Sequence, residues 1–410
     1  MFNETHLSGI SLYIHLPFCE SLCTYCGCNT RITVNHNVEF PYISSLLKEW
    51  ELYYRIFGQD PKLKEIHLGG GTPTFFSPKN LGLLIGKILK KACIPPNREF
   101  GFEAHPNNTT TEHLQVLYDL GFSRLSLGIQ DFDPVVQKTI NRIQSFEVVR
   151  TVTDNARKIG YSSINFDLIY GLPRQTKKSI ESTIEKVAQL MPDRIAFYSY
   201  AHVPWKKPGQ RMFTKLHLPQ HEEKRAIYEL GKQMLQSLGY VEIGLDHFAL
   251  KSDDLFRSAV NGTLHRNFMG YTTSKTKLVV GLGVSAIGDT ESAYGQNEKQ
   301  VEKYKKIIAD GELPIYKGHV LNPEEKIMRK HILNLMCKLK TSWHEDQYYL
   351  PHLRNVDKYL KEHIKDGIVT LSHKEIEITE KGRAFIRNVC MAIDPKICDL
   401  KNSQIYSATI

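Results

Sequence analysis

The chain has 410 residues, 41% of them hydrophobic and 24% charged, with 53 Lys and Arg against 44 Asp and Glu for a net charge of +9. That length accommodates one large domain and a smaller one, and the ordinary composition excludes a disordered or fibrous chain. No apolar run approaches the ~20 residues needed to cross a bilayer, and the cations are too dispersed to indicate nucleic acid, although a mild excess suits an anionic partner.

Residues 1–10 lack the basic-then-apolar layout of a secretory signal, so a cytoplasmic location is expected. Half of the eight cysteines crowd into residues 19–28, while Cys93, Cys337, Cys390 and Cys398 stand singly. That pattern suits a reducing compartment, with the single ones read as buried small hydrophobes.

The first predicted element is a strand over residues 11–16, and it runs straight into Cys19, Cys23 and Cys26 at C-x3-C-x2-C spacing. A loop of this length can wrap three sulfurs around one corner of an iron–sulfur cube. Such clusters are normally held by four thiolates, so three leave one iron open to an exchangeable ligand. A structural zinc knuckle or a disulfide pair are the alternatives. Zinc wants four ligands, and no second Cys pair follows at zinc-finger distance, though Cys28 or His36 could complete a site.

A helix follows over residues 38–57, then a short strand over 65–68 ending in Gly69-Gly70-Gly71-Thr72-Pro73. Glycine has no Cβ, so this run lets backbone approach a ligand closely. Further strands are predicted over 99–104, 124–129, 163–170 and 194–201. The helices between them cover 111–120, closed by Gly121, 146–159, stopped by Gly160, and 177–190. Alternation of this kind builds βαβ units and a parallel sheet. About six units fit, short of the eight of a closed barrel, so the fold class is α/β, a partial (β/α)6 barrel. A helix over 220–238, a strand over 240–243 and the apolar run 278–284 extend it.

Beyond about residue 321 the pattern changes to helices over 324–339 and 356–365. A hairpin over 368–371 and 375–378 follows, then a last helix capped by Thr379 and running to about Ala392. Residues 321–410 are therefore expected to form a smaller, winged-helix-like domain that packs or covers, appended to a catalytic domain of residues 1–320.

Taken together, Tyr13-Ile14-His15-Leu16-Pro17-Phe18-Cys19, the cysteine loop ending Cys26-Gly27-Cys28-Asn29, and the glycine run resemble one family. Its members are the oxygen-independent coproporphyrinogen III dehydrogenases of the radical S-adenosylmethionine (SAM) superfamily. Phe102-Glu103, Gly128-Ile129-Gln130-Asp131-Phe132, Asn141-Arg142, Asp167 with Gly171-Leu172-Pro173, Tyr200-Ala201-His202, His265-Arg266-Asn267-Phe268 and the stretch from Gly283 to Ile287 continue the match along nearly the whole chain. The resemblance implies a [4Fe-4S] cluster on Cys19, Cys23 and Cys26 and two SAM molecules side by side. Tyr13, Gly70, Glu103 and Ile287 match positions around the cluster-bound SAM. Tyr25, Gly71, Thr72, Gln130, Arg142, Asp167 and Ala201 match those around the second. Tyr13, Glu103, Gln130 and Arg142 are the expected catalytic set, and His265 and Arg266 are substrate-side candidates. The implied reaction is oxidative decarboxylation of two propionates of coproporphyrinogen III by a monomeric enzyme served by flavodoxin or ferredoxin. Neither membrane nor nucleic acid is expected as a partner.

Three positions depart from the family pattern. Tyr13 stands only twelve residues after Met1, His105 replaces a carboxylate in Glu103-Ala104-His105-Pro106, and Met269 replaces glutamine after Phe268. They leave open another tetrapyrrole as substrate, or a heme-binding chaperone. Chaperones of that kind show Cys-Asp-Phe where this chain has Cys26-Gly27-Cys28. Cys28 carries no assigned role.

Overall fold

The computed structural model describes residues 5–398; the ends of both expected domains, residues 1–4 and 399–410, and the side chain of Cys398 lie outside that description. The residues form two units. One takes the chain up to Tyr240 together with Thr276–His319, and the other takes Val241–Lys275 together with the chain from Val320.

In the first unit, strands β1 (Ile10–Leu16), β2 (Leu63–Gly70), β3 (Glu99–Ala104), β4 (Arg124–Gln130), β5 (Ser163–Tyr170) and β6 (Arg194–Ser199) pair in chain order. Every pairing among them is parallel. Helices α1 (Glu39–Phe57), α2 (Pro78–Leu89), α3 (Thr111–Asp119), α4 (Phe146–Ile159), α5 (Lys177–Leu190) and α6 (His221–Ser237) follow the strands in turn. This is a partial (β/α)6 barrel. Both faces of a parallel sheet are covered, so its strands are apolar almost throughout; Ile10, Leu12, Ile14 and Leu16 of β1 are all fully buried.

Local chemistry sets the ends of these elements. Thr110 and Thr176 accept backbone N–H groups at the starts of α3 and α5. Gly160, at φ +120°, ends α4 as its position predicts. No glycine was available to end α5; Met191 takes φ +44° instead and donates its N–H to Val187 O.

Strand β7 (Leu278–Leu282) returns from far downstream to lie parallel to β1 on its free side. Strands β8 (Ile287–Thr290) and β9 (Ala293–Asn297) continue the sheet antiparallel, and α7 (Val301–Ala309) follows. A buried carboxylate ties this return to α1. Glu49 accepts hydrogen bonds from Gly283 N at 2.8 Å, Asn297 Nδ2 at 2.7 Å and Tyr304 Oη at 2.6 Å. Burial pushes its pKa up to about 8 against those three bonds. Tyr42 adds a bond to His15 O and accepts one from Val284 N. The turn leading to Ile287 is therefore fixed against the strand that delivers the cysteine loop.

In the second unit, the hairpin of Val241–Gly244 with His247–Ala249 and that of His265–Asn267 with Gly270–Thr272 belong with the C-terminal helices. Ala249, Leu255, Leu264 and Tyr271 share a core with Leu335, Leu360, Ile376 and Val389, so residues 241–275 build this unit, where the sequence suggested a single division at residue 320. The hairpin expected at 368–371 and 375–378 forms over Val369–Ser372 and Glu375–Ile378, joined by Lys340–Ser342 as a third strand. Two expectations are corrected. Thr379 does not open a long helix: its hydroxyl bonds to Gly367 O and accepts from Gly382 N in a turn, and the helix starts only at Ile386. Cys93 is exposed, not a buried hydrophobe, because its backbone edges the sheet beside Pro61 and Leu63 while Cys390 is buried as expected.

Candidate active site

The C-terminal ends of β1 to β5 hold nearly all the polar groups singled out above, as expected for parallel βα architecture. The cysteine loop leaves β1 and is closed at its base by pairing of Phe18–Cys19 with Arg31–Ile32. Thr24 N donates to Ile140 O at 3.0 Å and Asn141 Nδ2 to Leu22 O at 2.8 Å, pinning its far side to the loop after β4. Each thiol has a distinct neighbour. Cys19 Sγ lies 3.3 Å from Thr72 Oγ1, Cys23 Sγ accepts from Arg142 Nη1 at 3.6 Å, and Cys26 Sγ accepts from Cys28 N at 3.4 Å. Burial pushes the Cys19 thiol up to about 11, whereas hydrogen bonding from Cys28 draws Cys26 down to about 6. The guanidinium of Arg142 favours the charged form of both. The thiol with the lowered pKa is already suited to bind iron, since the thiolate is the metal ligand. Among the described residues no three His, Cys, Asp or Glu side chains converge closely enough to hold a single metal ion; an iron–sulfur cube spreads its thiolates wider than one ion does.

The glycine run lies directly under this loop. Gly71 N donates to Leu16 O at 2.8 Å and Thr72 N to Phe18 O at 3.0 Å. A Cβ on Gly71 would come within 2.5 Å of Pro17 O. Gly70 sits at φ +112°, and its N–H donates to Glu103 Oε2 at 3.3 Å. His67, which the sequence reading passed over, bonds through Nε2 to Glu103 Oε1 at 3.2 Å and stacks on Tyr13 with centroids 6.1 Å apart. Burial raises the Glu103 carboxyl, but the His67 bond, its charge and the Gly70 N–H outweigh it and hold Glu103 below the usual carboxylate range. Tyr13 Oη also meets His15 Nδ1 at 3.0 Å, and His15 Nε2 reaches Asn29 O across the loop. Tyr13, Gly70 and Glu103 therefore form one contiguous patch.

A second patch forms at β4 and β5. The strand bulges between Gly128 and Gln130, and Gln130 takes φ +67°; such bulges re-aim side chains at strand ends. Arg142 Nη2 donates to Gly128 O at 2.5 Å, and a Cβ on Gly128 would meet both that nitrogen and Gln130 Nε2. Asp167 accepts from Ser126 Oγ at 3.0 Å and Asn165 Nδ2 at 2.8 Å. Burial, and then the charge of Glu103, push it up to about 6 despite those bonds. Ser126 and Asn165 carry no motif, and only the pairing of neighbouring strands reveals them.

Gln210 ties two more of the expected residues together by donating to Tyr25 O at 2.9 Å and Ala201 O at 3.2 Å. The Tyr25 ring packs against Val136, Ile140, Leu172, Tyr200 and Phe213. Ile287 opens β8, its carbonyl crowding Gly281 so closely that a Cβ there would come within 2.6 Å. His105 is held neutral, down to about 3, by burial and then by Arg142. Its Nδ1 accepts from Asn107 N at 3.2 Å, the turn-capping bond that a carboxylate would make. His265 and Arg266 belong to the second unit. Burial, Lys275 and Arg329 push His265 down to about 4, and Arg266 lies 4.9 Å over the Tyr271 ring. Met269 N donates to Asn267 Oδ1 at 2.8 Å.

The radical SAM superfamily model matches residues 13–187. The oxygen-independent coproporphyrinogen III oxidase of Helicobacter pylori strain J99 is 39% identical over 405 residues, covering 96% of this chain and 88% of that one. Its counterpart in Escherichia coli K12 is 35% identical over 408 residues, covering 98% and 89%. The solved structure described as coproporphyrinogen III oxidase from Escherichia coli, a radical SAM enzyme, superposes with a TM-score of 0.90 over 95% of this chain and 90% of that one, at 36% identity.

Proposed function

The chain belongs to the oxygen-independent coproporphyrinogen III oxidase family of radical SAM enzymes, and from that premise we propose that it converts two propionate side chains of coproporphyrinogen III to vinyl groups. The product is protoporphyrinogen IX, in anaerobic heme biosynthesis. The observation that carries this reading is the placement of three thiols on a pinned loop directly over Gly70, Gly71 and Glu103. A bound [4Fe-4S] cluster and SAM would supply reductive cleavage of the sulfonium and, with it, a hydrogen-abstracting 5′-deoxyadenosyl radical.

Each propionate loses a hydrogen atom from the carbon next to the ring, then CO2 and one electron, which leaves a vinyl group. Cys19, Cys23 and Cys26 would hold the cluster, with Arg142 offsetting thiolate charge from below. Tyr13, Gly70, Glu103 and Ile287 would bind the first SAM. Tyr25, Gly71, Thr72, Gln130, Arg142, Asp167 and Ala201 would bind a second. Carboxylates suit a sulfonium and ribose hydroxyls, and the Arg142 guanidinium suits a methionyl carboxylate. Tyr13, Glu103, Gln130 and Arg142 would act nearest the reacting atoms, and a monomer served in the cytoplasm by a flavodoxin or ferredoxin is the expected working form. Among the described residues no helix is long and apolar enough to cross a membrane.

Anaerobic incubation of the reconstituted enzyme with dithionite, SAM and coproporphyrinogen III tests the reading. Stepwise loss of two CO2 supports it; deoxyadenosine with intact substrate points to a different tetrapyrrole.

Two consequences concern single side chains. His67 would act as a positioning residue for Glu103. His67→Phe keeps the ring on Tyr13 but removes the bond to the carboxylate, so SAM affinity should fall roughly tenfold, the worth of one charge-assisted hydrogen bond. Equilibrium dialysis reads this directly, and unchanged affinity would remove His67 from the site. Burial, and then the charge of Glu103, push the Asp167 carboxyl up to about 6, and only its ionised form offers two acceptor oxygens. Activity per substrate, kcat/KM for SAM, should therefore fall as pH drops through about 6, and Asp167→Asn should lose that acid limb, since this ratio reports groups of the free enzyme.

A further inference from the structure

His105, which stands where the family pattern has a carboxylate, takes no part in the roles above. Its backbone stays extended past the end of β3, so its side chain falls on the same face of the sheet as that of Glu103, two residues earlier. Ala104 pairs with Leu127 and Gly128 with Asp167, which sets His105, Gly128 and Asp167 level across three strands. Gly128 has no side chain, and the space a Cβ would occupy is taken by Arg142 Nη2 and Gln130 Nε2. The turn after His105 is also fastened to the segment that carries Arg142, because Asn107 Nδ2 donates to Ile143 O at 2.9 Å.

One hydrogen bond fixes the tautomer of the imidazole. Asn107 N donates to Nδ1 at 3.2 Å, and burial with the charge of Arg142 keeps the ring neutral. The one ring proton therefore sits on Nε2, which is left to donate. Arg142 has donors to spare as well. Its Nη1 and Nη2 reach Cys23 Sγ and Gly128 O, while its Nε is buried with no acceptor among the described residues. The two carboxylates on the same face are engaged elsewhere, Glu103 by His67 and Gly70 N, and Asp167 by Ser126 and Asn165. A cation beside a neutral donor, with no described carboxylate bonded to either, matches an anionic acceptor.

We propose that His105 and Arg142 together bind a ligand carboxylate at the ends of β3 and β4, His105 through Nε2–H and Arg142 through its guanidinium. The proposal rests on the reading that this end of the sheet holds SAM and the tetrapyrrole. Those two supply the carboxylates in question, the methionyl group of a SAM and a propionate of the substrate.

Two measurements on the reconstituted enzyme tell the sources apart. One is equilibrium dialysis with SAM and with decarboxylated SAM, which lacks only that carboxylate; the other is the KM for coproporphyrinogen III under dithionite. His105→Asn keeps an oxygen for Asn107 N, and so the turn, but puts no donor where Nε2–H stands. It should lose about tenfold, the worth of one hydrogen bond to a charged group. His105→Asp also keeps the turn and sets a negative charge beside Arg142, so it should lose more. If the carboxylate belongs to SAM, the loss appears in the affinity for SAM and not in that for decarboxylated SAM. If it belongs to the substrate, SAM affinity holds and the KM for coproporphyrinogen III rises. Either result supports the pair and names its ligand. Unchanged affinity and KM in both variants would overturn the proposal, and so would equal losses for SAM and its decarboxylated form, the mark of a disturbed turn. Wild-type protein that binds no SAM would instead sink the proposed function beneath it.

Discussion

Cys23→Ser is expected to yield protein without its brown chromophore, with iron near background and no SAM cleavage above it. Serine preserves everything at this position except the thiolate. Its hydroxyl can still accept from Arg142 Nη1, the bond that Cys23 Sγ makes at 3.6 Å, and the loop stays pinned by Thr24, Asn141 and the Phe18–Cys19 pairing. Only a thiolate ligand is lost, and an iron–sulfur cluster with two protein thiolates instead of three is not retained. Cys93→Ser is the matched control, because Cys93 is exposed and serves the sheet edge through its backbone alone. Iron analysis, the visible spectrum and deoxyadenosine formation read both variants. An unchanged melting transition in Cys23→Ser would separate ligand loss from unfolding, and retained iron with activity would refute the assignment of the loop.

Gly71→Ala should cost about 10²-fold or more in turnover while the barrel still folds. A methyl at this position meets Pro17 O at 2.5 Å, Pro17 C at 2.6 Å and Leu16 O at 2.9 Å. All three are backbone atoms of the chain entering the cysteine loop, so no side-chain rotation relieves the contact. The glycine turn and the loop must move apart, and Thr72 moves with them, away from Cys19 Sγ. A shift of ~1 Å between groups that position reactants is worth about 10²-fold in rate. Gly86→Ala, where an added Cβ meets nothing within 4 Å, should leave activity intact. Normal turnover by Gly71→Ala would mean that this turn does not set the site.

These two expectations differ in how visible they are in the sequence. The cysteine spacing announces its chemistry without a structure, since ligand count and loop length are one-dimensional facts. The barrel strands are nearly as legible: Glu99–Ala104 and Ser163–Tyr170 were bounded by turn residues and filled with apolar side chains, and they form over the same residues. Strands β8 and β9 escaped because Gly288, Asp289, Gly295 and Gln296 break the apolar pattern at the sheet's antiparallel margin. Met191 ends a helix that no glycine marks, and Thr379 offered a cap signal that the turn at Gly382 used instead.

Within the site, resemblance supplied identities but not partners. His67 looks like any polar residue in a strand until β2 and β3 align and set it 3.2 Å from Glu103, 36 residues away. The pairing of Asp167 with Ser126 and the grip of Arg142 on Gly128 and Cys23 likewise depend on register between strands. The replacement of a carboxylate by His105, conspicuous in the sequence, proves compatible with the same turn. Its imidazole caps Asn107 as a neutral group, leaving the Arg142 charge uncompensated from that side.

The central claim is that this site takes hydrogen from a propionate and lets CO2 go. The most direct measurement is a single anaerobic turnover with coproporphyrinogen III deuterated at the propionate carbons bonded to the ring, read by mass spectrometry of both products. Deuterium is expected in the methyl group of 5′-deoxyadenosine, together with a tetrapyrrole that has lost one CO2, one deuterium and the carboxyl proton for each deoxyadenosine formed. Unlabelled deoxyadenosine beside intact coproporphyrinogen, from protein with a full complement of iron, would contradict it.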